Sequence, residues 1–235
     1  MTHSYTWSHG IDDATSLRTN GTGNIYNARL DRASSDTDIR HRYVGTVIYD
    51  LPFFKDKTGI LHGAFGGWNF SSVISAQTGL PFNISDVDRS LTGALGGNRP
   101  DYVGGTLTFA DPRENAFGKQ NSYFNGTGGG TATAATNPYF HRVGSGLSVA
   151  LGAGRFGTLG RNVYNGPGLV NFDISLAKTF AITERQHLMF RAEGFNFVNH
   201  TNFFNPSGNI SSASFGRVTS ARDPRLVQLT AQYSF

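Results

Sequence analysis

The sequence predicts an all-β fold, a segment of an antiparallel transmembrane β-barrel: about six strands of a larger barrel, with long external loops. Three observations carry this expectation. Only 15% of the 235 residues are charged while 13% are aromatic, against about 25% charged in an ordinary soluble domain. Six runs of about ten residues alternate apolar and polar side chains, the length and period of a tilted membrane-crossing strand. The connections between them alternate in length, as periplasmic turns and external loops do.

The first run, residues 2–11, sets His3, Tyr5, Trp7, His9 and Ile11 against small polar residues. Residues 40–51 put Tyr43, Val47, Tyr49 and Leu51 opposite Arg42, Thr46 and Asp50, although Val44 and Ile48 blur the contrast. Residues 68–78 set Trp68, Phe70, Ile74 and Ala76 against Asn69, Ser71, Ser75 and Gln77. In 170–180, Val170, Phe172, Ile174, Leu176 and Phe180 oppose Asn171, Asp173, Ser175 and Thr179. Residues 187–199 begin with Leu188, Phe190 and Ala192 against Met189, Arg191 and Glu193, and then Phe195 and Phe197 break the phase. The last run, 226–235, sets Val227, Leu229, Ala231, Tyr233 and Phe235 against Gln228, Thr230, Gln232 and Ser234.

The connections are 12–38, 52–67, 81–167, 181–186 and 201–225. If Phe235 ends in the periplasm, 52–67 and the short 181–186 turn are periplasmic and the three long loops are external. Rings at strand ends (Tyr5, Trp7, Tyr49, Trp68, Phe180) are candidates for the aromatic girdles at the bilayer boundaries. Loop 81–167 reads as a long, partly flexible extracellular loop with a Gly/Thr/Ala-rich tip at 126–136, and extra hairpins are conceivable around 102–109 or 147–151. The sequence begins inside a strand pattern, with neither a basic nor an apolar leader.

Composition and spacing exclude several functions. No Cys is present, which removes disulfide scaffolds and Cys-ligated metal sites. The formal charge is +4, but 16 of the 20 basic residues are Arg, and they are scattered apart from Arg40-His41-Arg42 and the Arg222, Arg225 pair. No nucleic-acid partner is expected from such a distribution. Gly152-Ala153-Gly154-Arg155-Phe156-Gly157 has dinucleotide-fingerprint spacing, but Gly160, Gly166, Pro167 and Gly168 follow where a helix is needed. Asp12 with Asp13, Asp36 with Asp38, and Asp86 with Asp88 lack EF-hand spacing and read as solvated loop charges. The seven His form no chelating motif. No catalytic residue, metal or cofactor is expected, so the chain does not read as an enzyme.

Several segments resemble TonB-dependent receptors, especially the Oar-like branch abundant in Acidobacteria. They are Arg40-His41-Arg42-Tyr43-Val44-Gly45 through Asp50-Leu51-Pro52-Phe53, and Gly66-Gly67-Trp68 with Gln77-Thr78-Gly79-Leu80-Pro81-Phe82. Leu159-Gly160-Arg161-Asn162 with Gly166-Pro167-Gly168 and Asn171-Phe172-Asp173 follows, then Phe190-Arg191-Ala192-Glu193 through Asn199-His200, and finally residues 215–225. The resemblance implies a plugged barrel of roughly 22 strands, importing scarce nutrients with energy delivered by TonB. Residues 1–235 would be its C-terminal barrel part, with plug and signal peptide upstream, TonB engaged only through that upstream part, and outer-membrane lipid around it.

Gln228, Thr230, Tyr233 and Phe235 resemble the β-signal read by the outer-membrane assembly machinery, with Thr230 where Gly is usual. Two other readings stay open. One is a small self-contained outer-membrane barrel, porin-like or an adhesin, with an extra hairpin making about eight strands. The other is a soluble secreted β-protein that binds glycans.

Overall fold

The computed structural model describes residues 1–13, 27–53, 65–86, 98–118, 120–125, 137–143 and 155–235. Six long strands form one antiparallel sheet: β1 (Thr2–Trp7), β2 (His41–Asp50), β3 (Trp68–Gln77), β4 (Leu169–Ala181), β5 (His187–Phe195) and β6 (Leu226–Ser234). Their order in space is their order in sequence, so the sheet is a meander with β1 and β6 at its edges.

Register decides what the alternation means. Tyr49, Phe70, Leu176, Ala192 and Leu229 lie in one row across β2 to β6. The adjacent row carries Ile48, Ser71, Ser175, Glu193 and Gln228. Because side chains alternate faces with period two, a slip of one residue in any pair would have mixed the sets. None slips. The apolar parities of all six strands share one face, and Arg42, Gln77, Asn171, Asp173, Arg191, Glu193, Gln228 and Thr230 share the other.

Two departures from alternation have local causes. The run at 2–11 ends as a strand at Trp7, and Ile11–Asp12 instead pairs with Ala33–Ser34 in a short ladder at the base of the first loop. The phase break after Ala192 has two parts: Phe195 stays in register opposite Leu226 on the polar face, where it lines a cleft, and only then does the backbone turn. Asn196 adopts φ 46° and its amide donates to the Asp173 carboxylate at 2.8 Å, after which the Phe197 amide returns to the Phe172 carbonyl at 2.8 Å. The turn brings the Phe197 ring against Gly194 on the apolar face, where a Cβ on that glycine would meet it at 2.8 Å. Asn tolerates left-handed φ better than other non-glycine residues, which suits it to position 196.

One cation sits on the apolar face. Lys178 is buried in the row of Trp68 and Phe190, donates to the Gly66 carbonyl, and lies 4.8 Å from the Phe180 ring centre and 5.7 Å from that of Trp68. A carbonyl and two ring faces offset the cost of holding an ammonium there.

Beyond the upper sheet end, the long loops build a layer with its own core. Phe82, Ile84, Leu107, Phe124, Phe140 and Leu159 from 81–167 pack with Ile210 and Phe215 from 201–225. Phe124 and Phe140 both meet Phe215 edge-on. The ladders here are only two residues long, Pro81–Phe82 with Tyr164–Asn165 and Asp101–Tyr102 with Phe140–His141. Tyr102 is thus paired across the loop rather than within a hairpin at 102–109, while 147–151 and the tip at 126–136 lie outside the described residues. Two glycines permit close backbone passage. A Cβ on Gly79 would overlap the Gly166 carbonyl, and one on Gly157 the Arg99 carbonyl.

Candidate functional site

The loop layer is tied down by charged side chains aimed inward. Arg161, 2% exposed in its side chain, donates to the Asp31 carbonyl at 2.9 Å, to the Asp12 carbonyl at 2.9 Å and to the Asp12 carboxylate. Its second nitrogen lies 3.4 Å from Asp36, which also accepts from the Asn162 side-chain amide. Arg99 meets Asp31 at 2.8 Å with both side chains buried. Asp38 accepts from the Gly10 amide and from Arg40, and Asp86 accepts from Ser211 beside Arg142. The expectation of solvated loop charges is therefore corrected at Asp12, Asp36, Asp38 and Asp86. Asp38 and Asp86 are buried, and a buried carboxylate requires a partner. Asp12 and Asp36 are about one-third exposed and act as clamps through the buried Arg161. Asp88 lies outside the described residues.

Arg155 grips Asp101 with both terminal nitrogens, at 3.0 and 2.6 Å. Burial works against the charged carboxyl, but Arg155 and the Thr158 amide together hold Asp101 below the usual carboxylate range. A depressed folded pKa gives stability that is complete above the unfolded value of about 3.9 and lost as pH falls through the folded one. The strap is expected to hold down to about pH 4 and to open below it. Hydrogen exchange at the Thr158 amide checks this, and Asp101→Asn removes the pH dependence.

Where the layer meets the sheet, a cleft of about 670 Å³ opens over the polar face. Its floor is the upper end of that face, with Arg42 and Gln77 in one register row and Ser75 and Asn171 in the next. Its roof is the segment after β5 and the one before β6, including Asn196, Asn202, Arg222 and Asp223. Asn202 holds the roof down, since its side-chain amide accepts from the Val170 amide at 2.8 Å and donates to the Val170 carbonyl at 2.9 Å. A second cleft of about 260 Å³ adjoins it, lined by Leu80, Pro167, Phe203 and Phe204, and Arg222 borders both with its guanidinium 5.0 Å from the Phe204 ring. Such a place can hold a small polar solute. Among the described residues no three His, Asp or Glu side chains converge as a metal site.

The residues singled out from sequence lie elsewhere. Tyr49, Trp68, Phe180 and Tyr233 cluster on the apolar face near the end carrying the 181–186 turn, in the rows of Phe70, Lys178 and Leu188. Tyr5 and Trp7 sit toward the opposite end, opposite Tyr43 and His41. Gln228 and Thr230 face the polar side across from Glu193 and Arg191, whereas the Tyr233 ring stacks on Phe235 at 5.9 Å. Sequence reasoning missed the cleft. Arg42 and Arg222 were visible as members of two small basic groups, but nothing local brings them together.

The family model described as outer membrane beta barrel domain matches residues 1–228. No curated protein and no solved structure matches the chain.

Proposed function

Since this chain belongs to the outer membrane β-barrel domain family, and hence to the cell outer membrane, we propose that it is the C-terminal barrel portion of a TonB-dependent receptor of the Oar-like branch, serving nutrient uptake. The observation that carries the reading is the open meander. Among the described residues β1 and β6 each pair on one side only. In lipid every unpaired backbone group costs several kcal/mol, so a spanning sheet must close. The six long strands among the described residues fall short of the roughly eight of the smallest common barrels. Further strands of the same receptor close both edges, a plug fills the lumen, and TonB engages that other part. On its own the arc transports nothing and catalyses nothing.

The resembling segments support this reading by their positions. Arg161 and Asn162 clamp the first loop, Asn196 turns the chain out of β5, and Arg222 and Asp223 line the cleft. Gln228, Thr230 and Tyr233 on edge strand β6, with Phe235 just after it, serve as the signal for the assembly machinery.

The test is the coding DNA upstream of Met1, together with gel migration of the encoded protein before and after heating. The reading predicts in-frame strands, a plug and a signal peptide, and one heat-modifiable species of the whole receptor. A heat-modifiable closed barrel made by the 25.4 kDa chain alone would overturn it in favour of the small self-contained barrel. A soluble monomer would overturn the membrane assignment as well.

A further inference from the structure

The cleft over the polar face holds donors with nothing to donate to. Arg42 and Arg222 both line it, and among the described residues neither guanidinium meets a carboxylate or donates a hydrogen bond. This sets them apart from Arg99, Arg142, Arg155 and Arg161, each held by an aspartate in the loop layer. Gln77 and Ser75, which line the same cleft, likewise have uncommitted side chains among the described residues.

The acidic residues lining the cleft do not cancel this surplus equally. Asp173 is engaged, accepting from the Asn171 side chain and the Asn196 amide, both at 2.8 Å. Asp223 is exposed at the rim, and its carboxylate has no side-chain partner among the described residues. The cleft therefore presents two free guanidinium forks, two neutral polar groups and one free carboxylate.

We propose that this cleft binds a small solute bearing a carboxylate and a hydroxyl or ammonium donor, the carboxylate taken by Arg42 and Arg222 and the donor by Asp223. A planar guanidinium fork matches a carboxylate with two parallel hydrogen bonds. A phosphate dianion fits less well, because Asp223 repels its second charge. A neutral solute leaves both forks unanswered. The Phe204 ring lies against Arg222 and steadies that fork, and Phe195 offers an apolar surface within the cleft to the solute's carbon skeleton. The inference rests on the barrel reading in one respect, that the polar face is the lumen.

Three probes sharing one sugar ring test it: galacturonate, galactose and galactose 6-phosphate, titrated into the whole outer-membrane protein by calorimetry. Galacturonate is expected to bind at least about tenfold tighter than either of the others, as charge-assisted hydrogen bonds are the strong ones. Arg42→Gln and Arg222→Gln each weaken galacturonate by about tenfold. Arg185→Gln, the same charge change in the 181–186 turn, leaves it unaltered. Equal binding of galactose, tighter binding of the phosphate, or galacturonate binding indifferent to Arg42 and Arg222 overturns the proposal, as does no binding at all. Heat-modifiable migration of the same sample reports on the barrel separately, so a folded barrel that fails to bind counts against the solute assignment alone.

Discussion

Replacing Arg161 by Ala is expected to release the first long loop from the loop layer at a local cost of about 3 kcal/mol. Breaking a buried ion pair costs roughly 3–5 kcal/mol, because the partners left behind are desolvated and unpaired. The lower end applies here. The Asp12 and Asp36 side chains keep 30% and 32% of their surface exposed and regain water, whereas the Asp31 carbonyl loses its donor. Native-state hydrogen exchange reads the result. The Arg161 amide, bonded to the Leu30 carbonyl, and the Leu159 amide, bonded to the Pro100 carbonyl, should exchange roughly a hundredfold faster. Amides in the β4–β5 ladder should not change. Arg161→Lys should fail to rescue, since one ammonium cannot reach the acceptors that the planar fork spans. Unchanged exchange at both loop amides would show that the clamp does not hold the loop.

Phe140→Ala should open the aromatic core above the sheet. The Phe140 side chain is fully buried and meets Tyr164 and Phe215 edge-on at 6.3 and 6.1 Å. Truncating a buried phenylalanine costs about 3–5 kcal/mol, the lost transfer energy plus the cavity left behind. The core draws on two loops, so both 98–125 and 207–218 should become protease-sensitive while the sheet stays resistant. Cleavage in only one of them would mean that the loops are not one cooperative unit. Phe109→Ala is the useful contrast. This residue is 41% exposed, and loss of its ring should be felt much less.

These two sites show why one half of the molecule can be read from sequence and the other cannot. The sheet is legible because period two is a local signal, and Val170 and Phe172 declare a face within three residues. The turn that ends β5 has a local cause at Asn196, although a positive φ at an asparagine leaves no mark in a pattern of hydrophobicity. The loop core has no period. Phe82, Leu107, Phe124, Phe140 and Leu159 are spaced irregularly among Gly, Asn and Thr, and they become a core only when Ile210 and Phe215 arrive from another loop.

The clamps are illegible for the same reason. Arg161 reaches Asp12 across 149 positions of sequence, and only that contact distinguishes the aspartate from the exposed Asp13 beside it. The cleft joins Arg42 on β2 to Arg222 before β6, and only the sheet order makes that juxtaposition. Some of the resembling segments, such as Gln77-Thr78-Gly79-Leu80-Pro81-Phe82, sit where a strand passes into the loop layer, and the close backbone passage at Gly79 is specific enough to leave a motif.

The account turns on which face of the sheet meets lipid. The chain has no cysteine, so single cysteines along β4 can each carry a spin label in the outer membrane without background. Labels at Val170, Phe172, Ile174 and Leu176 should be accessible to oxygen dissolved in the bilayer and protected from a water-soluble nickel complex. Labels at Asn171, Asp173, Ser175 and Ala177 should show the reverse. Alternation in this phase is the predicted result; alternation in the opposite phase, or uniform exposure to the water-soluble quencher, would contradict the lipid-facing assignment.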